Sequence, residues 1–168
     1  MLSFSELGVG ENVLKAIQEL GFIEPTPIQQ QAIPVLLADE TDFVGLAQTG
    51  TGKTAAFGLP ILELTDLRIP TTQALILAPT RELCVQIAND LAKYGKFHRA
   101  ANITAVYGGA NIVQQIRQIK KGSQIVVATP GRLLDLINRG AIDMGEIRYV
   151  ILDEADEMLN MGFKEDID

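Results

Sequence analysis

Apolar positions along this chain follow two alternating rhythms. One repeats every three or four residues, as on the inner face of a helix, and the other is a short unbroken run, as in a strand covered on both sides. Val13, Leu14, Ile17 and Leu20 set the first rhythm and predict an amphipathic helix over Glu11–Leu20, with Gly21 as its terminator. "PTPIQQQAIPVLLA" predicts a second helix, capped by Thr26, begun at Pro27, and kinked or divided at Pro34. "DFVGLA" then reads as a short buried strand, followed by a glycine loop and a helix from Lys53 to about Leu64. "QALILAP" predicts the next strand, and Thr80 caps a helix that runs to about Phe97. "NITAVY" is a strand, Gly108 and Gly109 a turn, and Asn111–Lys121 a helix with Ile112, Ile116 and Ile119 inward. After the strand "QIVVA", Thr129 and Pro130 open a helix that Gly140 closes. "YVILD" is the last strand, and Glu154 begins the last helical pattern.

Near-continuous β-branched strands alternating with helices predict an α/β fold, a mostly parallel sheet with helices on both faces. Residues 1–40 read as a helical segment leading into a core over 41–168, the whole forming one globular unit. Ligands of such sheets sit at the carboxyl ends of the strands. The glycine loop after "DFVGLA" and the acids after "YVIL" both lie at such ends.

Composition narrows the class without naming a partner. A chain of 168 residues is the length of one domain, able to bury about 70% of its unfolded surface. No apolar run approaches the roughly 18 residues of a membrane span, and "MLSFSELGVG" lacks the basic start and long apolar core of a signal peptide. No membrane partner is expected, and a cytoplasmic setting fits the single cysteine, Cys84, which has no internal disulfide partner. Cys84 reads as a small apolar helix residue, and the only histidine, His98, as a surface side chain. The formal net charge of -7 is concentrated in residues 153–168, which carry -6, so the rest of the chain is nearly neutral at -1. A strongly basic nucleic-acid binder looks different, yet a local cationic surface remains compatible with this balance.

The chemistry is carried by two stretches. "AQTGTGKT", Ala47–Thr54, follows the phosphate-loop pattern with Ala47 in place of its first glycine. Small residues there let successive backbone N–H groups converge on phosphate oxygens, and Gly50 and Gly52 allow positive φ and close approach. Lys53 supplies a charge for the β- and γ-phosphates and Thr54 a hydroxyl for Mg²⁺. A plain turn before a helix explains the glycines but not a lysine followed directly by a threonine. In "YVILDEADEML", four carboxylates, Asp153, Glu154, Asp156 and Glu157, fall within five residues. They repel one another, and burying one unpaired is costly. Mg²⁺ held between Thr54 and phosphate supplies a cation for Asp153, directly or through water, while Glu154 is placed to orient or deprotonate an attacking water. Acids in a first helical turn are stabilised by the macrodipole, which accounts for Asp156 and Glu157. It does not account for acids at the end of a core strand.

These residues, with the blocks "GFIEPTPIQ", "PTREL", "GG", "TPGR" and "DEAD" in order, make the chain resemble the first RecA-like domain of DEAD-box RNA helicases over nearly its whole length. The resemblance implies ATP and Mg²⁺ as cofactors, with nucleotide contacts from Gln48, Thr49, Gly50, Thr51, Gly52, Lys53 and Thr54, and catalysis by Lys53, Asp153 and Glu154. It implies that Gln29 reads adenine, with Phe22 stacking on the base and Phe4 as the upstream aromatic of that element. A carboxamide pairs bidentately with adenine N6 and N7, although Thr26-x-x-Gln29 is also a capping box. By the same resemblance Pro79, Thr80 and Arg81, then Gly108 and Gly109, then Thr129, Pro130, Gly131 and Arg132 contact the RNA backbone, and Asp156 couples the two domains. Thr80 and Thr129 are equally good helix caps, but Arg81 and Arg132 are cations near helix starts, where the macrodipole opposes them. A Ser-Ala-Thr element and the second RecA-like domain, which supplies arginine fingers and half the RNA cleft in the family, do not occur in the sequence, so the chain reads as a fragment. Two other readings stay open: a phosphate-loop ATPase acting on DNA, and a nucleotide-gated RNA clamp or scaffold without unwinding.

Overall fold

Four of the apolar runs become strands: β1 (Ala74–Leu77), β2 (Ile103–Val106), β3 (Ile125–Ala128) and β4 (Tyr149–Leu152). They form one parallel sheet in the order β2-β3-β1-β4. The computed structural model describes residues 2–38, 41–48, 50–98 and 101–162. The chain divides into two units, Met1–Thr65 with Asp90–Arg99, and Asp66–Asn89 with Ala100–Asp168.

The sheet belongs to the second unit. Leu75, Leu77, Val106, Val126 and Ala128 project from one of its faces. They pack with Ile119 of α5 (Ile112–Lys120), Leu133 and Leu136 of α6 (Pro130–Asn138), and Met158 of α7 (Ala155–Asn160). The alternate residues Ala74, Ile76, Ile125 and Val127 lie on the other face and are fully buried as well. Burial on both faces is why these strands read as unbroken apolar runs, and each such Ile, Leu or Val contributes about 1.5–3 kcal/mol. β4 differs because it is an edge strand bonded to β1 alone, with Val150 and Leu152 exposed.

The amino-terminal edge of the sheet is closed by the chain's own polar groups. Thr72 Oγ1 donates to Ser123 O at 2.7 Å, and the Gln73 carboxamide accepts from Asp66 N at 2.9 Å and donates to Asp66 O at 2.8 Å.

The first unit holds α1 (Glu11–Glu19), α2 (Pro27–Ala38), α3 (Lys53–Leu64) and the last turns of α4 (Arg81–Tyr94). Val13, Ala16, Ile17, Ile33, Leu59 and Leu62 are buried, and α2 packs on α3. The start of α1 is tied to α3 by Gly10 N–H donating to Glu63 Oε1 at 2.9 Å. α2 runs through Pro34 without dividing, and α3 likewise contains Pro60. A proline removes one helical hydrogen bond, and both helices continue through it, packed on each other.

Three expectations are corrected. The segment "DFVGLA" is not a strand, and its residues Val44 and Leu46 are 88% and 94% exposed. A strand exists only with a partner for its N–H and C=O groups, and none of the four described strands pairs with it. Gly45 in its middle weakens any intrinsic strand preference further. The helix opened by Thr80 stops at Tyr94 rather than near Phe97, because Gly95 interrupts it and the chain turns back with His98 N–H on Gly95 O at 2.9 Å. That turn also takes His98 off the surface: it is half-buried, with Nε2 enclosed and without a hydrogen-bond partner. Cys84 is fully buried on α4, and burial pushes its thiol up to about 12, which makes it inert as a nucleophile.

Candidate functional site

The phosphate loop enters α3 through Gly52, which has φ 82 and ψ 21 and occupies the helix N-cap without a side-chain cap. Only glycine fits. Besides the left-handed backbone, a Cβ at this position would stand 2.5 Å from Gln29 Nε2 and 3.1 Å from Thr26 Oγ1. Gly50 has φ 84, and between the two glycines Thr51 turns back on Gln48, its N–H donating to Gln48 O at 3.3 Å. Thr49 lies outside the described residues. Lys53 and Thr54 are the first two residues of α3, where the helix presents its positive end to an anion.

Gln29 is joined to this loop. Its Nε2 donates to Gly52 O at 3.0 Å, while its Oε1 accepts from Thr26 N at 3.0 Å, completing the capping box. Both ends of the carboxamide are engaged, yet each retains one valence, a second lone pair on Oε1 and a second hydrogen on Nε2. Capping and pairing with a base edge thus compete less than the sequence suggested, although the side chain is only 2% exposed and must be uncovered first. Thr26 Oγ1 is buried beside the loop and has no hydrogen-bond partner. Phe22 is half-buried, with its ring 6.0 Å from that of Phe4 and 5.8 Å from that of Tyr94. Phe4 is buried at 5% exposure and stands as a support for the Phe22 ring.

The second unit gathers the other motifs on the carboxyl edge of the sheet. Because Leu77, Ala128 and Leu152, and Val106 with Ala128, are in register, four chain segments leave the sheet at one level. In sheet order they carry Gly108-Gly109, Thr129-Pro130-Gly131-Arg132, Pro79-Thr80-Arg81 and Asp153-Glu154. The ladder continues one residue beyond the strands, with Ala78 N on Ala128 O at 3.0 Å, Thr129 N on Val106 O at 3.1 Å and Asp153 N on Leu77 O at 2.9 Å. Thr80 caps α4, its Oγ1 accepting from Leu83 N at 3.1 Å. Thr129 is the N-cap of α6 by position but makes no side-chain cap bond. Pro79 and Pro130 are buried, whereas Thr80, Arg81, Gly108, Gly109 and Gly131 are exposed.

The turn after β2 connects two of these motifs through residues that sequence reasoning passed over. The Arg81 guanidinium lies 4.7 Å from the centre of the Tyr107 ring. Arg132 Nη1 donates to Ala110 O at 3.2 Å and to Gln115 Oε1 at 2.8 Å, and Gln115 Nε2 donates to Tyr107 O at 3.2 Å. A signal for Gln115 was present: it is a polar residue on the inward stripe set by Ile112, Ile116 and Ile119, and it is 6% exposed.

Asp153 is buried at the end of β4, at 5% exposure. Glu154 follows it with φ 54 and ψ 49, the one non-glycine residue with positive φ among those described. That conformation costs an L-residue about 1–2 kcal/mol. Glu154 occupies the N-cap of α7 but makes no side-chain cap bond, so helix capping does not explain its carboxylate. Asp156 is exposed in the first turn of α7. No group of three or more His, Cys, Asp or Glu side chains able to hold a metal occurs among the described residues. A hydroxyl and a carboxylate are nevertheless the hard oxygen donors that Mg²⁺ accepts when phosphate and water complete its shell, so Thr54 and Asp153 fit it by type. No helix of the described residues is long and apolar enough to cross a membrane.

Comparison with known proteins gives the family. The profile of the DEAD/DEAH box helicases matches residues 26–168, and the chain belongs to that family. It is 51% identical over 168 residues to the DEAD-box ATP-dependent RNA helicase CshA of Geobacillus kaustophilus, covering 100% of this chain and 36% of that protein. It is 53% identical over 167 residues to the ATP-dependent RNA helicase CshA of Limosilactobacillus reuteri, covering 99% and 33%. The chain spans about a third of the length of these curated relatives. Among solved structures it superposes on a DEAD box protein from Methanococcus jannaschii with TM-score 0.94 and 46% identity, covering 99% of this chain and 45% of that one. A hypothetical ATP-dependent RNA helicase from Sulfolobus tokodaii gives 0.86 and 42%, covering 94% and 45%. The α/β fold with a parallel sheet flanked by helices is thus that of the family.

Proposed function

We propose that this chain is the nucleotide-binding half of an ATP-dependent RNA helicase, which hydrolyses ATP and remodels RNA together with a second RecA-like domain. The observation that carries the reading is the junction of Gln29 with Gly52, which ties a carboxamide suited to adenine directly to a phosphate loop ending in Lys53 and Thr54. On this reading Gln48, Thr49, Gly50, Thr51 and Gly52 wrap the phosphates, Lys53 balances their charge, and Phe22, supported by Phe4, lies against the base. Thr54 and Asp153 hold Mg²⁺, which when bound neutralises charge on the phosphate oxygens. Glu154 accepts the proton of the attacking water, and Asp156 couples the domain to its partner. The strand-end segments around Arg81, Gly108-Gly109 and Arg132 grip the RNA backbone through N–H groups and guanidinium groups, which position a strand without reading its bases.

Gln29→Ala is expected to weaken ADP binding by about 1–3 kcal/mol, the range of a bidentate base contact, and to narrow the preference for ADP over GDP. Competition of the two nucleotides for the wild-type chain checks it, and equal affinity would remove Gln29 from the adenine site. The choice of nucleic acid is tested by ATP hydrolysis in the full-length protein with single-stranded RNA or DNA of one sequence. RNA is expected to stimulate turnover and DNA not to; equal stimulation would favour a DNA-directed ATPase.

A further inference from the structure

The arginines of the carboxyl edge stand at the starts of helices, Arg81 opening α4 and Arg132 lying in the first turn of α6. The positive ends of those helices repel a guanidinium, so each needs a counterweight to stay in place before a phosphate arrives. The turn after β2 supplies both. Arg81 rests on the face of the Tyr107 ring at 4.7 Å, a cation–π contact. Arg132 donates through Nη1 to Ala110 O and to Gln115 Oε1, and Gln115 in turn donates to Tyr107 O. Among the described residues the hydrogen bonds of Arg132 use Nη1, which leaves Nη2 and Nε, the other edge of the fork, with donors for a phosphate. Gln115 is 6% exposed and has both ends of its amide bonded. A buried amide in an otherwise apolar stripe is expensive unless it is fully satisfied.

We infer that Tyr107 and Gln115 are the positioning residues of the RNA surface, holding Arg81 and Arg132 to the turn that carries Gly108 and Gly109. The three segments then act as one preformed unit, and the strand meets two fixed guanidinium groups flanking a glycine turn. This rests on the reading of the edge as an RNA-backbone site, and the test separates the two.

Binding of a labelled single-stranded RNA is measured by fluorescence anisotropy on the full-length protein with a non-hydrolysable ATP analogue. Arg132→Ala and Arg81→Ala are the reference variants. Gln115→Ala is expected to weaken RNA binding about tenfold, as for a lost hydrogen bond to a charged group, but less than about twofold in the Arg132→Ala background. Tyr107→Leu is expected to weaken it about fivefold, with little further loss in the Arg81→Ala background, and Tyr107→Phe, which keeps the ring, to restore what Tyr107→Leu loses. A residue that only stabilised the fold would give the same loss in either background. Additive losses in either pair, or no loss in Gln115→Ala and Tyr107→Leu, would overturn the inference. If Gln115→Ala does not fold, the Tyr107 pair decides. RNA affinity unchanged in both arginine variants would instead overturn the reading of this edge as the RNA site.

Discussion

In the full-length protein, Glu154→Gln is expected to bind ATP and RNA like the wild type and to hydrolyse almost no ATP. An amide still accepts a hydrogen bond from water but cannot take its proton, and a positioned general base contributes about 10²–10⁴ in rate. The backbone supports the same conclusion. Glu154 adopts φ 54 at the end of β4, with Asp153 beside it buried and bonded to Leu77 O through its N–H. A conformation that a glycine would take without strain is here occupied by a carboxylate that does not cap its own helix. Strained backbone of this kind clusters at functional sites, which supports the proposed role of Glu154. Glu154→Gly should therefore be more stable by about 1 kcal/mol and equally inactive. Thermal unfolding and single-turnover hydrolysis measure the two effects. Hydrolysis near the wild-type rate in Glu154→Gln would remove the water-activating role.

The second large effect concerns residues 1–168 alone. They are expected to fold, bind adenine nucleotide weakly, and show almost no RNA-stimulated turnover. Folding is expected because the sheet is buried on both faces. Weak binding is expected because the phosphate loop and Gln29 are present without a closing partner. Turnover is expected to fail because the arginine fingers proposed to come from the second domain are not supplied. Arg68 is paired with Asp66, whose carboxyl it holds down at about 2, and Arg139 is paired with Asp135. Arg81 and Arg132 are held at the Tyr107–Ala110 turn. An arginine finger from a partner domain is worth about 10³–10⁵ in rate. RNA binding is expected to be feeble too, since residues 1–152 carry a net charge of only -1 and offer few cations to neutralise phosphates.

Most of the sheet was legible because burial on both faces leaves a direct trace: "ALIL" and "IVVA" are apolar at every position, and both are strands. Helix starts were legible where one side chain does the work, as at Asn111, whose Oδ1 accepts from Val113 N at 2.9 Å. The phosphate loop could be read because its chemistry is local, within eight residues of sequence. What escaped depends on distant partners. "DFVGLA" has the composition of a strand, but a strand is a relation between two segments, and composition holds only one of them. The Gln115–Arg132 contact joins residues on different helices, so its only sequence trace is one glutamine on an apolar stripe. The left-handed Glu154 left no trace at all, since its residue type argues against the conformation it adopts.

On the proposed reading, RNA-driven ATP turnover needs this domain together with a second one. The most direct measurement is the steady-state ATPase rate of residues 1–168 and of the full-length protein, each with and without saturating single-stranded RNA. The expected result is a rate for residues 1–168 that stays at background and does not respond to RNA, beside a full-length rate that RNA raises by orders of magnitude. Robust RNA-stimulated hydrolysis by residues 1–168 would show that a complete active site resides in one domain and would contradict the two-domain account.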